Sequence, residues 1–517
     1  MSKSEKAAKS VAIIIYFSFV SKFLGYARES LIANKYGSGY ITDTFFISLS
    51  AIALFTTMIT KAINTTMIPV LADIETKKGK EGKLNHTNNL LNIISLISIL
   101  LMIVAWILSP VVIKIIGSGF EGEQFKLAVL LMRIGLPTMF FASMEGTFRG
   151  YLQSESMFFE SAISAFPYNL IYIFFLLFLS SKFDIRGLMI VSVIAVLGKV
   201  LIQYPSLRKS GFKYKFELNF TDKYVRKMIS LMPPVLISAT IEDINNIVDK
   251  SMASNLVEGS VSALQYGKRL DSIIRGTFIS AVNTVIYPMF SKDASSEGYK
   301  ELKKTIIHGM NIVMLITIPA TIGVIILAHP IVKIAFERGK FDSTATYMTM
   351  GALMFYSVGL VASSMKSMVN RAYYSLQDTK TPMNNSIIAL GLNIVLNLIL
   401  IKYMEHAGLA LATSLSTIIT LIYLLYKLRI KIGPFGLLSS VKTGLKSLTA
   451  SIIMGIVVYF LYDIISIRLG IGTLYELTSL LVSVGAGALA YGILIYIFKI
   501  EEVNWAIKLI KDKIRRQ

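Results

Sequence analysis

Cysteine is absent from the sequence, which excludes disulfides, thiolate nucleophiles and sulfur-ligated metals. Histidine is nearly absent: His86, His308, His329 and His406 are too scattered to form a metal cluster. No G-x-x-x-x-G-K-[ST] loop occurs, so the chain has no phosphate-cradling loop with which to drive a pump by ATP. Carboxylates are scarce, 31 Asp and Glu against 52 Lys and Arg, for a formal net charge of +21. Long polar stretches are also missing. An integral-membrane glycosyltransferase or ligase would need large loops bearing catalytic carboxylates or histidines, and the loops here are too short.

What fills the 517 residues instead is apolar sequence: 54% hydrophobic residues and a mean hydropathy of +0.63. Runs of 18 or more apolar residues recur from end to end, the mark of transmembrane helices. The expectation is an all-α integral membrane protein with about fourteen transmembrane helices. They fall near 10–36, 41–72, 88–116, 123–150, 156–181, 184–206, 223–254, 258–290, 302–336, 343–374, 381–402, 406–427, 438–463 and 472–499. The basic start "MSKSEKAAKS" leads into a long, polar-striped run without a small-residue cleavage site, which reads as a retained helix.

The excess positive charge is unevenly placed, and this argues against a nucleic-acid partner. Segments 73–88, 205–228, 291–304, 427–446 and 508–517 hold 25 Lys and Arg, whereas the seven loops of opposite parity hold 7. Lys and Arg concentrate on the cytoplasmic side of membrane proteins, so both termini are expected in the cytoplasm. The tail 501–517 alternates apolar and basic residues as an interfacial helix would.

The sequence also repeats. "GLMIVSVIAVLGKVLIQYPSLR" (187–208) and "GLALATSLSTIITLIYLLYKLR" (408–429) open and close alike, 221 residues apart. Arg149–Gly150–Tyr151 corresponds to Arg371–Ala372–Tyr373, and Pro69 to Pro288, at nearly the same offset. A repeat of six helices is parallel, related by an axis along the membrane normal, as in transporters that rock two lobes about a central cavity. The expected organisation is an N-lobe (1–215), a C-lobe (216–432), helices 13 and 14 (433–500) and the basic tail.

Charge inside the spans clusters in helices 1, 2, 7 and 8. Helix 1 places Ser21, Lys22, Gly25, Arg28 and Glu29 on one face by spacings of 3 and 4. Helix 2 carries Asp43, Lys61 and Asn64. Helix 7 carries Ser238, Glu242, Asp243, Asn245, Asn246, Asp249 and Lys250, and helix 8 carries Gln265, Lys268, Arg269, Asp271, Ser272 and Arg275. A charge at the bilayer centre costs at least ~2.5–3.5 kcal/mol, so such residues face protein or a watery cavity. Paired structural charge or snorkelling accounts for any one of them as readily as a functional role does, and is favoured for Asp43 at a helix start and Lys250 near a helix end. Their joint clustering describes a polar cavity with two cationic walls, suited to a phosphate-bearing substrate.

Several motifs resemble the MurJ/MviN lipid II flippase family of the multidrug/oligosaccharidyl-lipid/polysaccharide exporter superfamily. They are "SKFLGYARESLIANKYGSGYITDTFF" (21–46), "YGKRLDSIIRGTF" with "YPMFSK" (266–292), "YYSLQDTKTPM" (373–383) and "HAGLALATSL" (406–415). The resemblance implies two six-helix lobes around a cationic cavity, with helices 13 and 14 forming a groove for a lipid tail. It implies a monomer in the bacterial cytoplasmic membrane that binds lipid II, or a related polyprenyl-pyrophosphate glycolipid, and flips it by alternating access. Arg28 and Arg269 match essential arginines of the family, Lys22 stands where Arg is frequent, and Glu29 stands where Asp is usual. The family's helix 2 arginine is missing from "LFTTMITK" (54–61), leaving Lys61 as the nearest cation. No organic cofactor is implied. A family sodium site would map to Asp249, Asn393, Asn397, Thr413 and the backbone of Leu409, with Asn397 replacing a carboxylate. The alternatives are a flippase for another polyprenyl-linked oligosaccharide and a drug/cation antiporter, the latter disfavoured by the basic helices 1 and 8.

Overall fold

The computed structural model describes residues 3–293, 299–470 and 472–502, which leaves the tail from residue 503 outside the described residues. Among the described residues the regular structure is helical throughout, without strands. In chain order the helices are α1 (Lys3–Tyr36), α2 (40–78), α3 (80–116), α4 (Gly122–Ser154), α5 (Phe159–Leu179), α6 (Ile185–Lys209) and α7 (Lys223–Ala253). There follow α8 (Ser260–Asp293), α9 (300–336), α10 (343–375), α11 (380–404), α12 (406–432), α13 (Leu437–Leu469) and α14 (Thr473–Ile497). Gly79, at φ 67°, separates α2 from α3, and Glu405, at φ 49°, separates α11 from α12. α10 bends by 44° at Gly359, between Ser343–Val358 and Leu360–Ser375. Among the described residues eight continuous helices are long and apolar enough to cross a membrane, counting α2–α3 and α11–α12 as one each, or nine with α10.

The chain forms two compact units. The first runs to Ser262 and takes in Arg338–Phe341; the second comprises Ala263–Glu337 and the chain from Asp342 onward. In the first unit α2 and α3 pack against α4 and α7, α4 packs on α6, and α1 lies along α5. Its buried core joins Ile63, Met67, Leu71 and Ile74 to Leu90, Leu91, Phe148 and Tyr151. α7, which the repeat counts with the second lobe, sits here through Lys227–Asp73 (2.9 Å), Lys61–Asp243 (2.9 Å) and Lys250 Nζ to Ser50 Oγ (2.8 Å).

At one end of this unit, turns interlock closely. Asp43, buried at the start of α2, accepts the Gly259 and Ser262 amides at 2.7 Å and the Ser262 hydroxyl, closing the N-terminus of α8. Those amides have no intrahelical partner, so a carboxylate there satisfies both hydrogen bonding and dipole. The Lys340 amide donates to the Asn34 carbonyl (2.9 Å) beside Gly37. Gly37 must be glycine twice over: its φ is +75°, and a Cβ would lie 2.5 Å from the Lys340 carbonyl oxygen.

At the α6–α7 connection, residues 212–219 form neither helix nor ladder and run as a strap over the start of α3. Side-chain amides of α3 hold its backbone. Asn88 donates to the Lys213 carbonyl (2.9 Å), Asn92 to that of Glu217 (2.9 Å), and Asn89 both donates to and accepts from Asn219. Phe212 fixes one end against Phe148 and Tyr151. Beneath lies Lys83, 1% exposed, paired with Glu75 (2.8 Å) and Glu155 (2.6 Å).

In the second unit α13 packs on both α9 and α14. Small residues permit the approach: Gly455 faces Ile322 and Ile326, and Gly487 faces Met454 and Val458. Tyr491 donates to the Leu315 carbonyl (2.9 Å) and contacts Ser447 Oγ (2.7 Å), while Lys333 pairs with Glu476 at 2.6 Å. Helices 13 and 14 are thus fastened to α9.

Candidate functional site

The densest polar cluster around a predicted residue is at Arg28. Packing of α1 along α5 carries the Arg28 side chain, 14% exposed, onto a stripe of three polar residues at Tyr168, Asn169 and Tyr172. The guanidinium lies 5.2 Å from the centroids of both tyrosine rings. Tyr168 and Tyr172 are four residues apart and therefore share a helix face, which lets both contact one cation. Each contact contributes about 0.5–2 kcal/mol according to desolvation.

Hydrogen bonds fix the rest of the geometry. Arg28 Nη2 lies 2.6 Å from Glu29 Oε1, and Nη1 donates to Asn169 Oδ1 at 3.2 Å. Asn169 in turn donates to the carbonyls of Ser21 (3.3 Å) and Ala165 (2.8 Å), which sets the orientation of its amide. Lys199 of α6 approaches the Tyr168 ring from its own helix, 4.6 Å from the centroid. The result is a pre-oriented guanidinium with a built-in counter-ion and a second cation nearby. A guanidinium has five N–H donors, so Glu29 and Asn169 leave donors for an anion.

The other expected residues are placed as follows. Lys22 is exposed on α1. Lys61 pairs with Asp243 of α7 at 2.9 Å, both partly open to solvent. Arg269 belongs to the second unit, where it is half-buried in α8 and its Nε has no hydrogen-bond partner among the described residues. Two residues on from Arg269, Asp271 faces Arg275 at 3.5 Å.

Of the expected sodium ligands, Asp249 is buried in the first unit and receives Asn245 Nδ2 at 3.4 Å. The remainder form a chain in the second unit. Asn397 donates to Asn393 (3.0 Å), Asn393 to Thr413 (3.2 Å), and Thr413 to the Leu409 carbonyl (3.1 Å). These oxygens suit a hard cation, and their mutual hydrogen bonds equally account for a helix contact. Among the described residues no group of three or more His, Asp or Glu gathers as a metal site.

Sequence reasoning missed Tyr168, Asn169, Tyr172 and Lys199. The available signal was "YNLIY" (168–172), which places two tyrosines and an asparagine within the apolar run 165–179. Taken alone it reads as packing surface.

A sequence model of the family described as lipid II flippase MurJ matches residues 32–480. Relatives include a "Probable lipid II flippase MurJ" of Vibrio cholerae serotype O1, 29% identical over 82% of this chain and 83% of that protein. The "Lipid II flippase MurJ" of Burkholderia cenocepacia is 25% identical over 80% and 82%. Among solved structures, lipid II flippase MurJ in an inward closed conformation superposes with a TM-score of 0.78 at 28% identity, over 94% of this chain and 98% of that one. An inward-facing multidrug resistance MATE family transporter of the MOP superfamily shares the fold, with a TM-score of 0.65 at 13% identity over 81% and 98%.

Proposed function

The chain belongs to the lipid II flippase MurJ family, and on that premise we propose that its Arg28 cluster receives the diphosphate of lipid II during transfer across the cytoplasmic membrane. The protein is a transporter rather than an enzyme: it moves lipid II between leaflets and makes no covalent bond. The observation that supports Arg28 in particular is its setting. A guanidinium in a membrane helix is costly to keep, and here two aromatic faces, an amide and a carboxylate hold it in one orientation.

That arrangement suits a diphosphate. The planar fork matches phosphate oxygens through paired donors, and Lys199, 4.6 Å from the Tyr168 centroid, adds positive charge nearby. Lys22, exposed on the same helix, would meet the outer phosphate or the sugar. Arg269 and Lys61 are the further cations assigned to the substrate. Glu29 neutralises Arg28 while no substrate is bound, so the empty site carries less uncompensated charge.

Arg28→Ala and Arg269→Ala should each abolish growth of a strain depleted of its own flippase, with precursor accumulating in the inner leaflet. Normal growth of the Arg28→Ala strain at normal expression would refute the assignment. If the accumulating lipid carries a sugar other than that of lipid II, the substrate is another polyprenyl-linked oligosaccharide.

A further inference from the structure

The α6–α7 strap exposes an unusual face. Apolar residues recur at every second position, Phe212, Tyr214, Phe216, Leu218 and Phe220. All but Phe212 are exposed, and Phe216 is 77% exposed. Between and around them stand Lys209, Lys213, Lys215 and Lys223, in a segment (205–228) that holds seven Lys and Arg. The backbone beneath is pinned by Asn88, Asn89 and Asn92, so these side chains are presented by a fixed frame.

The height of the strap on α3 says what this face meets. Asn92 binds the strap, and the exposed apolar surface of α3 begins at Leu96 and Ile97. Four to five residues of helix rise about 6–8 Å, so the strap runs beside the level where α3 enters hydrocarbon. Aromatic side chains favour that interfacial depth. Basic side chains there are drawn to anionic headgroups. Solvent does not suit Phe216 and Phe220, and a soluble partner would have to dock within the headgroup layer.

We propose that residues 213–220 are an interfacial anchor, seated among anionic headgroups of the inner leaflet, that fixes the depth and tilt of the first unit in the bilayer. Phe216, Leu218 and Phe220 enter the headgroup–acyl boundary while Lys213 and Lys215 pair with lipid phosphates; Tyr214 donates its hydroxyl to Asn92 (2.9 Å) and lies against α3. The side of the membrane rests on the positive-inside reading of the chain.

The natural absence of cysteine makes the test direct. Nitroxide labels on F216C and F220C, in the full chain reconstituted into vesicles, are probed for contact with oxygen and with a water-soluble nickel complex. References are E81C, exposed near the α2–α3 turn, and L100C on the exposed apolar face of α3. In vesicles containing phosphatidylglycerol, both labels should be richer in oxygen and poorer in nickel than E81C, at a depth between E81C and L100C. In pure phosphatidylcholine, or with Lys213→Gln and Lys215→Gln combined, they should shift toward E81C. Labels as wet as E81C in every lipid overturn the anchor. Deep labels indifferent to lipid charge and to the lysines overturn the anionic assignment. Reaction of E81C with an impermeant thiol reagent in intact cells would instead refute the orientation, and the depth data would still stand.

Discussion

Arg28 and Glu29 are the pair on which the chemistry turns. Glu29 Oε1 lies 2.6 Å from Arg28 Nη2; on the proposed reading a phosphate oxygen would take its place, and substrate binding would exchange one anion for another. Glu29→Gln removes the competitor. Diphosphate lipid should then bind about tenfold tighter, a change of about 1.4 kcal/mol, and transport should slow because release loses its driving exchange. Binding to detergent-solubilised protein, set against vesicle transport, checks both halves; unchanged affinity would remove Glu29 from the mechanism. His86, at the α2–α3 end, makes a different prediction. Burial lowers its pKa below the ordinary value near 6.5, with Lys78 acting in the same direction and Asp222 opposing. The unfolded chain therefore binds this proton more readily than the native one. Stability is full above the unfolded-state pKa and falls as pH drops through the native one. Thermal unfolding in detergent should shift downward between pH 7.5 and 5.5, and His86→Gln should flatten that slope.

At the scale of elements, helix existence and order were legible because long apolar runs punctuated by short polar loops leave few other solutions in a bilayer. The interruptions within spans were less so. α10 bends at Gly359, α4 passes through Leu136–Pro137 and Phe175–Leu179 forms a π-turn at the end of α5, yet hydropathy is continuous across all three. The Arg28 residue was legible from α1 alone, while its partner Asn169 and the neighbouring Lys199 lie 141 and 171 positions away in sequence, beyond any helical period. The docking of Lys340 on Asn34 was hidden for the same reason. Close approach of α14 to α13 rests on Gly487, whose added side chain would collide with Val458. Gly487→Leu should destabilise the protein by about 1–3 kcal/mol through overpacking, seen as a lower unfolding midpoint. An unchanged midpoint would show that α14 can shift without cost.

For the molecule as a whole, the distribution of charge predicts an orientation in the membrane. The side rich in Lys and Arg includes the α2–α3 turn, and the poorer side includes the α7–α8 turn. E81C should therefore be protected from an impermeant thiol reagent in intact cells and E258C labelled; the reverse pattern would invert the topology. The strap between α6 and α7 has a consequence of its own. Asparagine amides grip its peptide groups, and Phe212 and Tyr214 tie down one end, so attachment is indifferent to the side chains displayed from Lys215 onward. Attachment and address are written in separate residues. Replacing Asn89 should loosen the whole segment, while exchanging Phe216 or Lys215 should retune which bilayer the protein prefers and leave the helices undisturbed.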